Sequence, residues 1–154
     1  MSILLQSTEA EADAVARFVE LLKLERDALT SGEMGQLDAL IQKKNDISAE
    51  LQALTDRRNS LLAGMGFGSD RIGIEAWLAA QPANNAAQKM WLQILSLAKE
   101  ARELNQLNGE LIKMRMQHNS QALAILSSTS RQPNLYGPDG QSAPQNSRRI
   151  YDAV

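Results

Sequence analysis

The stretch from Leu37 to Leu61, LDALIQKKNDISAELQALTDRRNSL, decides the fold class. Leu37, Leu40, Lys44, Ile47, Leu51, Leu54, Arg58 and Leu61 fall alternately three and four residues apart. That spacing is the a/d seam of heptad-packed helices, because a repeat of about 3.5 residues keeps one stripe facing a partner helix. It predicts a helix over about 33–63. Lys44 and Arg58 interrupt the apolar stripe, and their long stems are expected to lie along it while the charges reach solvent.

On the N-terminal side, Thr8 and Glu11 fit a T-x-x-E capping box, and Glu9, Glu11 and Asp13 suit the positive end of a helix dipole. Val15, Phe18, Leu22 and Leu29 recur at helical spacing, with Leu21 widening the stripe, and Ser31-Gly32 supplies a stop. A first helix is expected over about 8–30. On the C-terminal side, GMGFG (residues 64–68) ends the second helix. A glycine-rich phosphate cradle needs a strand before it and a helix opening after it, so this run is read as a flexible linker. Residues 70–80 predict a short helix whose Ile72, Trp77 and Leu78 cap the bundle end.

The longest helix is expected over about 84–128. Ala87, Met90, Ile94, Leu97, Ala101 and Leu104 make a clean seam; further on, Asn108, Leu111, Arg115, His118, Ala122 and Ile125 continue its register, three of them polar, with Ile112, Met116, Leu123 and Leu126 beside it. Gly109 is a place where this helix could bend, since an interior glycine costs about 1 kcal/mol relative to alanine. From about 129 onward Pro133, Pro138 and Pro144 fall among Ser, Asn, Gln and Gly, a composition that cannot bury enough apolar surface to order itself. The expected architecture is all-α: an antiparallel helical hairpin or three-helix bundle over residues 1–128, with long coiled-coil-like helices, and a flexible polar tail over 129–154.

Composition narrows the function. The chain has 154 residues, 44% of them hydrophobic, which suffices for one domain with a core. A net charge of −2 argues against a nucleic-acid binder. There is no cysteine, so disulfide and thiolate chemistry are excluded. The start, MSILLQST, is too short an apolar patch for a signal peptide, and no run approaches the roughly 20 apolar residues that span a bilayer. A soluble, cytoplasmic protein without membrane insertion is expected. No second histidine or cysteine accompanies His118, so no metal site is expected, and no nucleophile motif appears. Glu110 with Lys113 and Lys99 with Glu103 read as solvated surface pairs. Neither an enzyme nor a cofactor is expected.

Helix length suggests a binding surface instead. At 1.5 Å per residue the last helix would span roughly 67 Å and the second roughly 45 Å. Antiparallel packing would then leave about residues 112–128 uncovered, exposing Ile112, Met116, Leu123, Ile125 and Leu126, with Met114 and Met116 adding an adaptable surface. Such a face could hold an amphipathic helix of another protein or close a homodimer. It would vanish if the helix broke near Asn108-Gly109 and folded back.

The tail carries both tyrosines, Tyr136 and Tyr151, away from any core. Tyr136 lies in NLYGPDGQ (134–141), where Pro138 and Gly140 suit a type I turn starting at Gly137. A chain of this size with coiled-coil-like helices over about 8–128 and the motif Leu135-Tyr136-Gly137-x-Asp139-Gly140 resembles the FlgN family of flagellar type III export chaperones. The resemblance implies a non-enzymatic, cytoplasmic chaperone for the hook-associated proteins FlgK and FlgL, holding their C-terminal helical regions before export. It implies delivery to the cytoplasmic domain of FlhA at the export gate. In that scheme Ile112, Met116, Leu123, Ile125 and Leu126 hold cargo. Tyr136 docks at the gate, with Leu135, Gly137, Asp139 and Gly140 shaping its presentation. The alternative is a dimeric coiled-coil structural or adaptor protein with a passive tail. Tyr151 has no assigned role.

Overall fold

The computed structural model describes residues 3–82 and 86–130, and over them the protein is all-α. Four α-helices are present among the described residues: α1 (Ile3–Ser31), α2 (Leu37–Gly64), α3 (Asp70–Ala79) and α4 (Ala86–Ser130), with a 3-10 turn at Met34–Gln36 between the first two. Contacts divide the chain into two units, Met1–Gln106 and Leu107–Val154.

In the first unit α1 and α2 are antiparallel. Glu11 pairs with Arg58, Arg17 with Glu50 and Glu25 with Lys44, so the partner number falls in α2 as it rises in α1. The first part of α4 runs parallel to α1. Leu4 and Ala12 share a core cluster with Ala87, Trp91 and Ile94, and Val19 and Leu22 share a second with Ala101. Ile74 and Trp77 of α3 close the first cluster beside Leu62. The expected hairpin with a third helix is thus present in this unit.

Three expectations change at this level. First, α1 begins at Ile3, not near residue 8. Leu4 is almost fully buried in the core, so the apolar start is drawn into the helix; Thr8 Oγ1 donates to the Leu4 carbonyl (2.8 Å) from a helix interior. Second, Lys44 and Arg58 do not reach solvent. Lys44 Nζ lies 3.4 Å from Glu25 Oε1, with both side chains buried. Arg58 Nη1 pairs with Glu11 in equal burial, and its guanidinium sits 5.1 Å from the centre of the Trp91 ring. Glu11 is therefore an interior ion-pair partner, not a cap. Third, neither Glu110–Lys113 nor Lys99–Glu103 forms an ion pair among the described residues.

The buried pairs are costly to assemble. Each charge loses its water, and only a well-matched partner offsets the loss. Glu11 Oε2 and Arg58 Nε find no hydrogen-bond partner among the described residues, so that match is incomplete. On the surface, Arg17 donates to Glu50 at 2.7 Å and holds the Glu50 carboxyl below its ordinary range, chiefly through that hydrogen bond. A depressed carboxylate contributes stability above its unfolded pKa and loses it as pH falls through the lowered value. Exposure and salt keep that contribution small.

The glycine run after α2 is structured, not a flexible linker. Gly66 N–H donates to Ala63 O (3.0 Å) and Phe67 N–H to Leu62 O (3.0 Å), the two bonds of a Schellman motif, with Gly66 at φ 84°. Phe67 packs on the Leu62 cluster, the apolar contact that accompanies this cap. Gly73 admits the returning backbone: a Cβ there would stand 2.5 Å from the Gly68 carbonyl oxygen. Asp70 takes φ 59°, and Asn59 holds it by accepting its N–H (2.9 Å) and donating to Oδ1 (3.1 Å), so α2 caps α3. In α3 it is Ile74, with Trp77, that is buried. Ile72, expected to cap the bundle end, is 81% exposed.

Two outcomes follow for stability in urea, read by circular dichroism. Lys44→Met leaves Glu25 buried without its cation and lowers stability by about 3–5 kcal/mol, whereas Glu25→Leu with Lys44→Met recovers most of it. Gly73→Ala lowers stability by about 1–3 kcal/mol through the clash with backbone, while Gly109→Ala, with open space around its Cβ position, raises it by up to about 1 kcal/mol.

Candidate functional site

The described part of the second unit is the later portion of α4. It is helical by composition: Leu, Met, Gln, Ala, Lys and Arg are strong helix formers and dominate 111–126. No break falls at Gly109, because α4 is a single helix from Ala86 to Ser130. The fold-back reading is thereby removed.

The five expected partner-binding residues fall into two exposure classes. Leu123, Ile125 and Leu126 are 64%, 63% and 65% exposed; Ile112 and Met116 are half-buried. They also divide by direction. At about 100° per residue, Ile112, Met116, Leu123 and Leu126 fall within a stripe about 80° wide. Ile125 lies about 200° from Leu123, on the opposite side of the helix. There it aligns with the exposed Leu107 and Met114. The heptad register that runs from Ala87 places Ile125 on the seam and Leu123 and Leu126 beside it, so the five expected residues span both sides of the helix.

The polar seam residues also differ from one another. Asn108 is fully buried, Arg115 is half-buried and His118 is exposed. Leu135, Tyr136, Gly137, Asp139 and Gly140, expected to dock at a gate, lie outside the described residues, as does Tyr151.

The first unit has a groove of its own. Leu78 and Ala79 of α3 and Trp91, Leu92 and Leu95 of α4 line a cavity of about 380 Å³ with Arg71, Glu75 and Gln88. Among the described residues no group of His, Asp or Glu side chains could hold a metal ion. No described helix is long and apolar enough to cross a membrane.

Comparison with known proteins places this arrangement. The family model described as FlgN protein matches residues 1–144. The chain is 34% identical over 95 residues to the flagella synthesis protein FlgN of Salmonella typhimurium, covering 62% of this chain and 66% of that protein, just under two thirds of its length. It is 38% identical over 96 residues to the protein of the same name from Yersinia enterocolitica, covering 60% and 65%. It is 28% identical over 144 residues to that of Proteus mirabilis, covering 92% and 91%. No solved structure matches.

If the stripe is surface in the free protein, charge there is tolerated. Leu123→Asp and Leu126→Asp each leave the urea unfolding midpoint equivalent to within about 0.5 kcal/mol of the parent, and helicity at 222 nm stays near the parent value.

Proposed function

The chain belongs to the FlgN family, and from that premise we propose that it is a cytoplasmic, non-enzymatic chaperone of flagellar protein export. Its cargo is the C-terminal helical region of the hook-associated proteins FlgK and FlgL. The observation that carries the reading is the stripe of Ile112, Met116, Leu123 and Leu126 on one side of a helix, partly or largely open to solvent. An apolar helix face left open in this way suits helix-against-helix docking of an amphipathic segment. The name shared by the relatives, flagella synthesis protein, supports the flagellar setting.

The mechanism requires no bond chemistry. Subunits awaiting export carry assembly surfaces that would otherwise associate too early. Covering such a helix with an apolar stripe hides it, and a stripe of modest area keeps the complex releasable. Delivery is assigned to the segment after α4. Tyr136, an aromatic anchor of the type enriched at interface hot spots, contacts the cytoplasmic domain of FlhA, with Leu135, Gly137, Asp139 and Gly140 setting its presentation.

The test is a titration of the full chain with the C-terminal segments of FlgK and FlgL and, separately, with the FlhA cytoplasmic domain. Leu123→Asp weakens cargo binding by at least about tenfold, roughly 1.4 kcal/mol. Tyr136→Ala leaves cargo affinity within about twofold and weakens FlhA binding by about tenfold or more. Equal loss of both affinities in Tyr136→Ala overturns the two-surface scheme. Failure of the parent chain to bind either segment, with light scattering showing a tight dimer, favours the adaptor reading instead.

A further inference from the structure

The stripe on α4 has a position that the apolar residues alone do not explain. Ile112, Met116, Asn119, Leu123 and Leu126 are spaced four, three, four and three residues apart, an unbroken heptad seam with one polar residue at its centre. Asn119 is exposed, as are Leu123 and Leu126 beside it. In the free chain its amide is solvated and costs nothing. Once a partner helix covers the seam, that amide loses water and must be matched by a hydrogen-bonding group, because a buried amide facing an apolar side chain is penalised.

The charges around the seam have one sign. From Ile112 to Ser128 the charged side chains apart from His118 are Lys113 and Arg115, which occupy the two positions flanking the start of the seam. Lys113 is exposed and forms no ion pair among the described residues. The rest of the seam is flanked by Ser120, Ala122 and Ser127, which carry no charge.

We infer that Asn119 and Lys113 set the specificity of this face, which takes an amphipathic helix with a heptad apolar stripe, one polar side chain at the level of Asn119, and acidic residues beside Lys113. The inference rests on the reading of this face as the cargo surface and adds the chemistry by which one helix is preferred over another. Asn119 fixes the axial register of the partner, since sliding by one heptad sets its amide against an apolar knob. Lys113 fixes the end at which the partner's acidic residues lie, and with it the direction of docking.

The test uses the full chain and synthetic helical peptides of four heptads. All have Leu at the seam positions; they differ in a central Asn or Leu, and in Glu or Lys at the flanking positions of one end. The parent chain is expected to bind the Asn-centred, Glu-flanked peptide about tenfold tighter than either the Leu-centred or the Lys-flanked one. Asn119→Leu shifts the preference to the Leu-centred peptide, and Lys113→Glu shifts it to the Lys-flanked one. Met114→Asp, on the opposite stripe, leaves affinities within about twofold. Absence of binding, equal binding of all peptides, or preferences unmoved by Asn119→Leu and Lys113→Glu overturn the inference. So does sedimentation showing that the free chain is a dimer which Leu123→Asp dissociates, since a second copy would then be the occupant. Retained peptide discrimination without binding of FlgK or FlgL segments sinks the cargo reading alone. Binding of those segments without peptide discrimination sinks this inference alone.

Discussion

The fold of the first unit depends on two ion pairs buried in the α1–α2 seam. Glu11 and Glu25 lie two heptads apart on α1, and Lys44 and Arg58 lie two heptads apart on α2, so both pairs form in a single antiparallel register. An apolar seam alone would not choose that register sharply, since Leu37, Leu40, Ile47, Leu51 and Leu54 recur every half-heptad and resemble one another as knobs. A slip of one heptad would set Glu11 against Leu51 and Glu25 against Leu37, stranding four buried charges. A slip of two heptads keeps at most one pair. Each stranded charge costs several kcal/mol, so the alternatives are excluded even though the native pairs add little net stability. The charges specify the arrangement more than they strengthen it.

That choice propagates to α4 through Arg58. Its guanidinium serves Glu11 on one side and the Trp91 ring on the other, so the cation that fixes the hairpin also meets the third helix. Trp91 shares its cluster with Leu4, Leu62, Ile74 and Trp77, where the ends of α1 and α2 and the whole of α3 meet. The close turn through Gly66, Gly68 and Gly73 then becomes necessary. With α2 held in register by its charges, the chain must reverse within a few residues to bring Ile74 and Trp77 onto Leu62. A Schellman cap and a Cβ-free contact at Gly73 achieve that reversal.

Much of this was legible in the heptad spacing of Leu37 to Leu61 and in Gly32, whose N–H donates to Ala28 O (3.1 Å) at φ 82° and ends α1 as read. At Glu11, Lys44 and Arg58 local spacing misleads because the partners of these residues lie far along the chain. Thr8 and Glu11 satisfy the spacing of a capping box, yet Glu11 is claimed by Arg58, 47 residues away. Lys44 and Arg58 have stems long enough to reach water, but the complementary glutamates on α1 stand at matching heptad positions, a signal visible only when two helices are compared. Gly64, Gly66 and Gly68 look like a mobile run because composition does not report positive φ. Ile72 looked like a core residue because hydrophobicity does not report which side of a ten-residue helix faces in; Gly73 and Ile74 sit on the buried side. At the candidate site the apolar residues were legible as hydrophobicity, and heptad spacing placed Ile125 on the seam with Leu123 and Leu126 beside it, but spacing alone does not report that all three are equally open to solvent.

The later part of α4 poses the remaining physical question, namely why a helix persists where its apolar residues stay exposed. Tertiary packing usually supplies most of a helix's stability, and isolated helices shorter than about 12–15 residues are marginal in water even for strong helix formers. Here the costly step, formation of the first turns, is already complete in Ala86–Gln106, where Ala87, Trp91, Ile94 and Ala101 are packed. Continuation past Leu107 needs only propagation, which the Leu, Met, Gln and Ala of 111–126 favour, and which Gly109 taxes by about 1 kcal/mol. Helicity is thus decoupled from burial in this stretch. Under the proposed function the face is held in helical geometry before docking, so the ordering cost falls on the partner alone. The exposed polar Asn119 at the centre of the stripe has a separate effect, dividing the apolar surface into two shorter runs that are less prone to associate unspecifically.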